Sequence, residues 1–181
     1  MAFNVQEFRS QLIGDGARPN LFEVTMTIPF NSGASSKLTF MCKAASLPGT
    51  SIGVVSQYYF GRELKFAGNR TFADWNITIV NDEDFIVRKA FENWSWHINQ
   101  HTPNLRTGAA LPPGGYQTDA FVKQYGKTGN ILREYKLIGS FPNDISPIDL
   151  DWGNNDTIEE FSISLAYSWW TIPEGTAPLI T

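Results

Sequence analysis

The sequence predicts a mainly β protein with one principal α-helix, its antiparallel strands packed as a barrel or sandwich. Two stretches alternate with a period of two. Phe22, Val24, Met26 and Ile28 interleave with Glu23, Thr25 and Thr27, while Phe161, Ile163, Leu165, Tyr167 and Trp169 interleave with Glu160, Ser162, Ser164, Ala166 and Ser168. That period places large apolar side chains on one face of a sheet and small polar or acidic ones on the other. Val87, Phe91, Trp94 and Ile98 recur instead at helical spacing and form a single apolar stripe.

Length and composition fit one domain. The 181 residues are 42% hydrophobic and 14% aromatic, enough for a packed core, and only 18% are charged, unlike a disordered chain. A net charge of −4 argues against a broad cationic surface for gripping phosphates. One cysteine, Cys42, excludes an internal disulfide and fits a reducing compartment. No uncharged apolar run approaches the ~20 residues of a membrane span, and Met1 to Glu7 lacks the basic start and apolar stretch of a signal peptide. The expectation is a soluble intracellular product without stable membrane insertion.

Each element follows from local signals. Val5 to Ile13 reads as a short helix or ordered arm, with Phe8 and Leu12 on one side and Gly14-Asp15-Gly16 ending it. The first strand, from Phe22, stops at Pro29. A polar turn, Asn31 to Ser36, leads into a second strand carrying Leu38, Phe40 and Cys42, and the two are expected to form a hairpin. Residues 44–70, punctuated by Pro48-Gly49, Gly53, Gly61 and Gly68, read as an extended hairpin standing away from the core. Ala73, Trp75, Ile77 and Ile79 define the next strand, opposed by Asp74, Asn76 and Thr78. Asn81 or Asp82 is expected to cap the helix, with Glu83 and Asp84 at its positive end, and Pro103 prevents its extension. Residues 102–116 read as a loop, 118–125 and 131–138 as a hairpin around Gly126 to Asn130, and Phe141-Pro142-Asn143 as the start of an irregular connection. After the last strand, 171–181 reads as a C-terminal tail.

The sharp chemical motifs have plainer readings. His97 and His101 stand four apart, but Ile98 replaces the Glu of a zinc protease helix and no cysteine cluster adds ligands. A role at the helix end suits them better. Gly126-Lys127-Thr128 lacks the earlier glycine of a phosphate-binding loop, Phe121 standing there, and reads as a turn. Asp149, Asp151, Asn154, Asn155 and Asp156 miss the calcium-loop pattern and read as turn and cap residues. Cys42 reads as a buried small residue rather than a nucleophile. No catalytic, cofactor or metal residues are assigned. A rival of another class, a metal-assisted hydrolase using His97, His101 and an acidic partner, requires stoichiometric bound metal.

The ordered segments Arg18-Pro19-Asn20-Leu21-Phe22-Glu23-Val24, Phe40 to Gly49, Phe60-Gly61-Arg62, Ala67 to Phe72, Trp75-Asn76 and Asn81-Asp82-Glu83 resemble the tail tube proteins of contractile-tailed bacteriophages. Tyr116 to Ala120, Gly139 to Pro142 and Leu150 to Phe161 extend the resemblance over most of the chain. It implies a single tail-tube domain over 1–181, with a 1–18 N-terminal arm, a 44–70 extended loop, a 102–116 loop insertion and the 171–181 tail. It further implies a structural virion protein and no enzyme. Subunits would form six-membered rings whose sheets join into an inner barrel, and rings would stack into a tube inside a contractile sheath. The implied partners are the protein itself, the sheath protein, and baseplate and tail-terminator proteins. The alternative on the same fold is the inner tube of a phage-derived injection particle or type VI secretion system.

Under that resemblance the polar strand faces line the channel: Glu23, Thr25, Thr27, Asp74, Asn76, Thr78, Glu160, Ser162 and Ser164. Such a wall lets double-stranded DNA pass without specific binding, because carboxylates repel phosphates. Alternation alone equally describes the wet face of an ordinary antiparallel sheet. The expected inter-ring contacts are Phe3, Phe8, Arg18, Leu47, Ile52, Tyr58, Phe60 and Arg62.

Overall fold

The computed structural model describes residues 4–173. In chain order these form α1 (Val5–Gln11), β1 (Phe22–Met26), α2 (Ser32–Met41), β2 (Cys42–Ala45), β3 (Ser51–Tyr59), β4 (Arg62–Thr71) and β5 (Trp75–Val80). There follow α3 (Ile86–Ile98), α4 (Pro113–Tyr116), β6 (Thr118–Tyr125), β7 (Ile131–Ile145), β8 (Glu160–Ala166) and β9 (Trp169–Thr171). The main sheet runs β1-β6-β7-β8-β5-β2, with β9 also on β7, and every pairing is antiparallel. Its end strands, β1 and β2, come close to each other without pairing, so the sheet wraps around its core as an unclosed barrel.

The core is the alternation made solid. Val24 and Met26, Trp75, Ile77 and Ile79, Ala120 and Val122, Leu137, and Phe161, Ile163 and Leu165 all point inward and are buried. Helix α3 contributes Val87, Ala90, Phe91 and Trp94, with Ile98 packed at its edge. Burying Phe91 and Trp94 stabilises the fold by roughly 1.5–3 kcal/mol each, or more. The indoles bring polar atoms inside, and each finds a carbonyl: Trp75 Nε1 donates to Ser46 O at 2.6 Å and Trp94 Nε1 to Tyr116 O at 2.7 Å.

Several expectations need correction. The segment expected as a turn and second strand is helix α2, and only from Cys42 does the chain become extended. Ala34 and Leu38, four residues apart, bury fully while Phe40 stays exposed, so helical spacing decides the packing. Strand β2 accordingly pairs with β5 instead of β1. Helix α3 is not capped by Asn81 or Asp82. Its cap residue is Phe85, in the left-handed region at φ 53°, and Asp84 Oδ1 accepts from the Ile86 N–H at 3.0 Å. Asn81 is buried and instead donates from Nδ2 to Glu159 Oε2 at 2.9 Å.

Strand β7 does not end near Ile138 but continues through Phe141, Pro142 and Asn143 to Ile145. Gly139 at φ 69° and a register shift after Pro142 let it bend. Pro142, lacking a donor, sits where the ladder slips and loses nothing there. The final strand breaks at Tyr167-Ser168, after which β9 leaves the β8 ladder and pairs with the first half of β7. Between α3 and β6, the expected loop holds a 3-10 turn at Gly108–Ala110 and the short α4, folded back so that Thr107 N donates to His97 O. Only Ile172 and Pro173 of the tail beyond Thr171 fall within the described residues.

Candidate functional site

Among the described residues, strands β3 and β4 pair only with each other. Neither contains a buried residue. The hairpin still carries Ile52, Val54, Val55, Tyr58, Tyr59, Phe60, Leu64 and Phe66, all exposed. Its tip, Phe60-Gly61, has positive φ at both positions (46° and 80°), the geometry of a type I′ turn. Asn or Gly normally occupies the first of these, so a phenylalanine there is strained, and its ring is 92% exposed. Lower down, Gly53 and Gly68 approach so closely that a Cβ on Gly68 would lie 3.0 Å from the Gly53 carbonyl oxygen. This is an apolar arm held by its own ladder and left uncovered by the other described residues.

The polar strand faces form two separate surfaces. On one, Asn76 lies opposite Ser164 and Thr78 opposite Ser162, with Glu160 at the end beside Val80. Asp144 pairs with Ser164, and Asp74 accepts from Asn143 Nδ2 at 2.9 Å. Small neutral side chains dominate this face. On the other, Glu23 faces Lys123 and Thr25 faces Phe121 across β1 and β6, and Thr27 is exposed just past β1. Here charges pair: Lys136 with Asp119 at 2.8 Å and Lys123 with Glu134 at 4.0 Å. Tyr125 donates to Glu23 Oε2 at 2.7 Å, and that bond, with some burial, pushes the phenol up to about 12. Strand β1 lies three places from β8 in the wrapped order, so the two faces point away from each other.

Among the expected contact residues, Phe8, Arg18, Leu47, Ile52, Tyr58, Phe60 and Arg62 are all exposed, and Phe3 lies outside the described residues. The sequence reading missed Trp152. It stands within the Leu150 to Phe161 segment but was not among the expected contacts, yet the residue is 100% exposed. Its signal was available: a tryptophan set among turn formers, Asp151 before it and Gly153-Asn154 after.

Among the described residues the titratable groups do not converge on a centre. His97 stacks on Phe30 with ring centroids 4.1 Å apart and shares a 3.0 Å hydrogen bond with Thr107. No group of three His, Cys, Asp or Glu among the described residues could hold a metal ion. Gly126 to Asn130 is the β6–β7 turn, closed by Gly126 N donating to Asn130 O at 2.8 Å. Cys42 is half-buried, and burial pushes its thiol up to about 12. No helix among the described residues is long and apolar enough to cross a membrane.

A wrapped antiparallel sheet with an unburied aromatic arm defines a structural, assembling subunit. A model of the family described as phage tail tube protein matches residues 17–173. The chain is 34% identical over 158 residues to tail tube protein gp19 of Enterobacteria phage T4, covering 87% of this chain and 92% of that one. It is 26% identical over 168 residues to the tail tube protein of Serratia phage KSP90, covering 90% and 93%. The chain therefore belongs to the phage tail tube protein family, as a structural component of the virion and not an enzyme. Solved structures share the fold. The tube-terminating cap of the anti-feeding prophage superposes with a TM-score of 0.61 at 15% identity, covering 96% of this chain and 99% of that one. The PVC sheath–tube complex in its extended state gives 0.53 at 16%, covering 95% and 99%.

Proposed function

We propose that this chain assembles into stacked six-membered rings forming a tube inside a contractile sheath, through which the phage genome leaves. The observation that carries the reading is the β3–β4 arm. A monomer gains nothing from eight exposed apolar side chains on a ladder of its own. A polymer buries them against the next ring, where aromatic side chains contribute most. The baseplate would start the tube, a terminator would end it, and the sheath would surround it.

The channel wall in this reading is the face of Asn76, Thr78, Ser162 and Ser164, with Asp74 and Glu160 towards its two ends. Short hydroxyl and amide side chains make it smooth; Lys43 is paired with Glu160 and Asp74 adds acidic charge, so DNA phosphates find no cationic array to hold them. Glu23, Thr25 and Thr27, on the opposite face, would then look towards the sheath. Two phage proteins related over nine-tenths of their length favour the genome channel over the inner tube of an injection particle, whose likeness lies in the fold.

Negative-stain electron microscopy of the purified chain, across a concentration series with and without baseplate seeds, tests the assembly. Hollow tubes of uniform width are expected. Monomers that persist beside competent seeds overturn the reading.

A further inference from the structure

Between β7 and β8 the chain makes a long loop, and Trp152 stands at its apex. Asp151 builds the turn: its carbonyl accepts from Asn154 N at 3.2 Å and its Oδ1 from Gly153 N at 2.9 Å. Thr157 Oγ1 closes the far side on Asn154 Oδ1 at 2.7 Å. The indole therefore projects from a braced turn. Leu150 and Ile158 flank it, also exposed, and Asp149, Asp151 and Asp156 give the knob an acidic rim. Tryptophan is rarely left wholly in water, and interfaces use it as an anchor.

The opposite end of β7 carries a complementary groove of about 430 Å³. Ile13, Ala17 and Leu132 give it apolar walls, Gly14 and Gly16 leave it open, and Arg18 stands exposed at its mouth. Such a volume accepts an indole with part of a neighbouring side chain. The groove is lined at the start of β7 and the knob follows its end, fifteen residues further along. A surface and its complement at opposite ends of one molecule make a heterologous contact, which generates rings or open filaments.

We propose that Trp152 of one copy enters the groove at the start of β7 in the next copy of this chain, its acidic rim meeting Arg18; this rests on the tube reading above. The contact is separate from the β3–β4 arm. It assigns a role to the exposed apex of this loop, whose Ile148 alone packs on the core.

The test uses tubes grown on baseplate seeds. Gly153→Cys and Thr128→Cys are combined in a Cys42→Ser chain, leaving Trp152 in place. Oxidation should give a reducible ladder of linked chains. A ladder ending at six puts the contact within a ring, and a longer one puts it between rings. Trp152→Ala should raise the critical concentration for tube growth at least tenfold with an unchanged melting temperature, and Trp152→Phe should recover part of that loss. Tubes that give no ladder, or Trp152→Ala tubes growing at the parent concentration, overturn the contact alone. Failure of the parent chain to form tubes on the seeds removes the tube reading and the contact together.

Discussion

Lys37 shows how single side chains tie separate elements. From α2 its ammonium reaches Asp82 at 2.7 Å and also Asp84, both just ahead of α3. The hydrogen bonds to Asp82 and then Asp84 hold Lys37 above its ordinary value of 10.5. Asp82 is lowered mainly by Lys37, whereas Asp84 is lowered first by the Ile86 N–H and then by Lys37. Depressed carboxylates stabilise the folded state above their ordinary 3.8, and this is lost as pH falls through their folded values. The raised lysine contributes below 10.5 and loses its contribution as pH rises through its folded value. A Lys37→Met variant should thus melt below the parent at neutral pH, by the modest amount of an exposed ionic cluster. The gap should close as the buffer is taken to pH 2.5. Thermal melts between pH 2.5 and 7 decide this, and a gap independent of pH would show that Lys37 acts through its stem alone. None of this was readable in the sequence, because the partners lie 45 and 47 residues away from Lys37.

The alternating strands were readable because each has one dry face, and a one-residue slip would bury its polar side chains. Helix α2 was misread for a related reason. Leu38, Phe40 and Cys42 alternate by accident, while the residues that matter, Ala34 and Leu38, obey the other period. In a stretch of Gly, Ser and Thr with so few apolar anchors, propensity decides little and packing against β1 and α3 decides the rest. Strand β7 hid behind Pro142, whose usual meaning is an ending, because the compensating bulge needs the β8 register to be seen. The β3–β4 hairpin was recognisable within 44–70, whereas the place of Ala44 and Ala45 in β2 and the strain at the tip were not. That strain supplies a prediction. Phe60→Asn relieves the left-handed turn, so the monomer should melt at the parent temperature or slightly above it. Removing the exposed ring should nonetheless raise the concentration needed for tube growth. Calorimetry and sedimentation measure the two separately, and growth at the parent concentration would exclude Phe60 from the contact.

The wrapping of the sheet sets which surfaces can serve together. From alternation, Thr25 and Ser162 look equivalent. Once β1 and β2 meet at the seam, β1 and β8 stand three strands apart on the wrapped sheet with their outward faces pointing away from each other, so in the tube reading only one of them lines the channel. Lysine at Ser162 should leave folding and tube growth intact while slowing genome delivery at least tenfold, since each ring would add cationic sites for phosphate. Lysine at Thr25 should leave delivery unchanged. Infection assays on phage carrying each variant decide between the faces, and the reverse pattern would move the channel to the β1 side. The sequence alone could supply the candidates for both walls, but not the fold that separates them.

Strand β7 has a mechanical consequence. Its first half is laddered to β6 and β9 and its second half to β8, so one unbroken backbone belongs to both halves of the wrapped sheet. A push or pull along that strand is transmitted through covalent bonds, while the flanking hydrogen bonds, lying across it, are loaded in shear and resist together rather than one after another. Load along β7 is therefore resisted more strongly than load across the unpaired seam between β1 and β2.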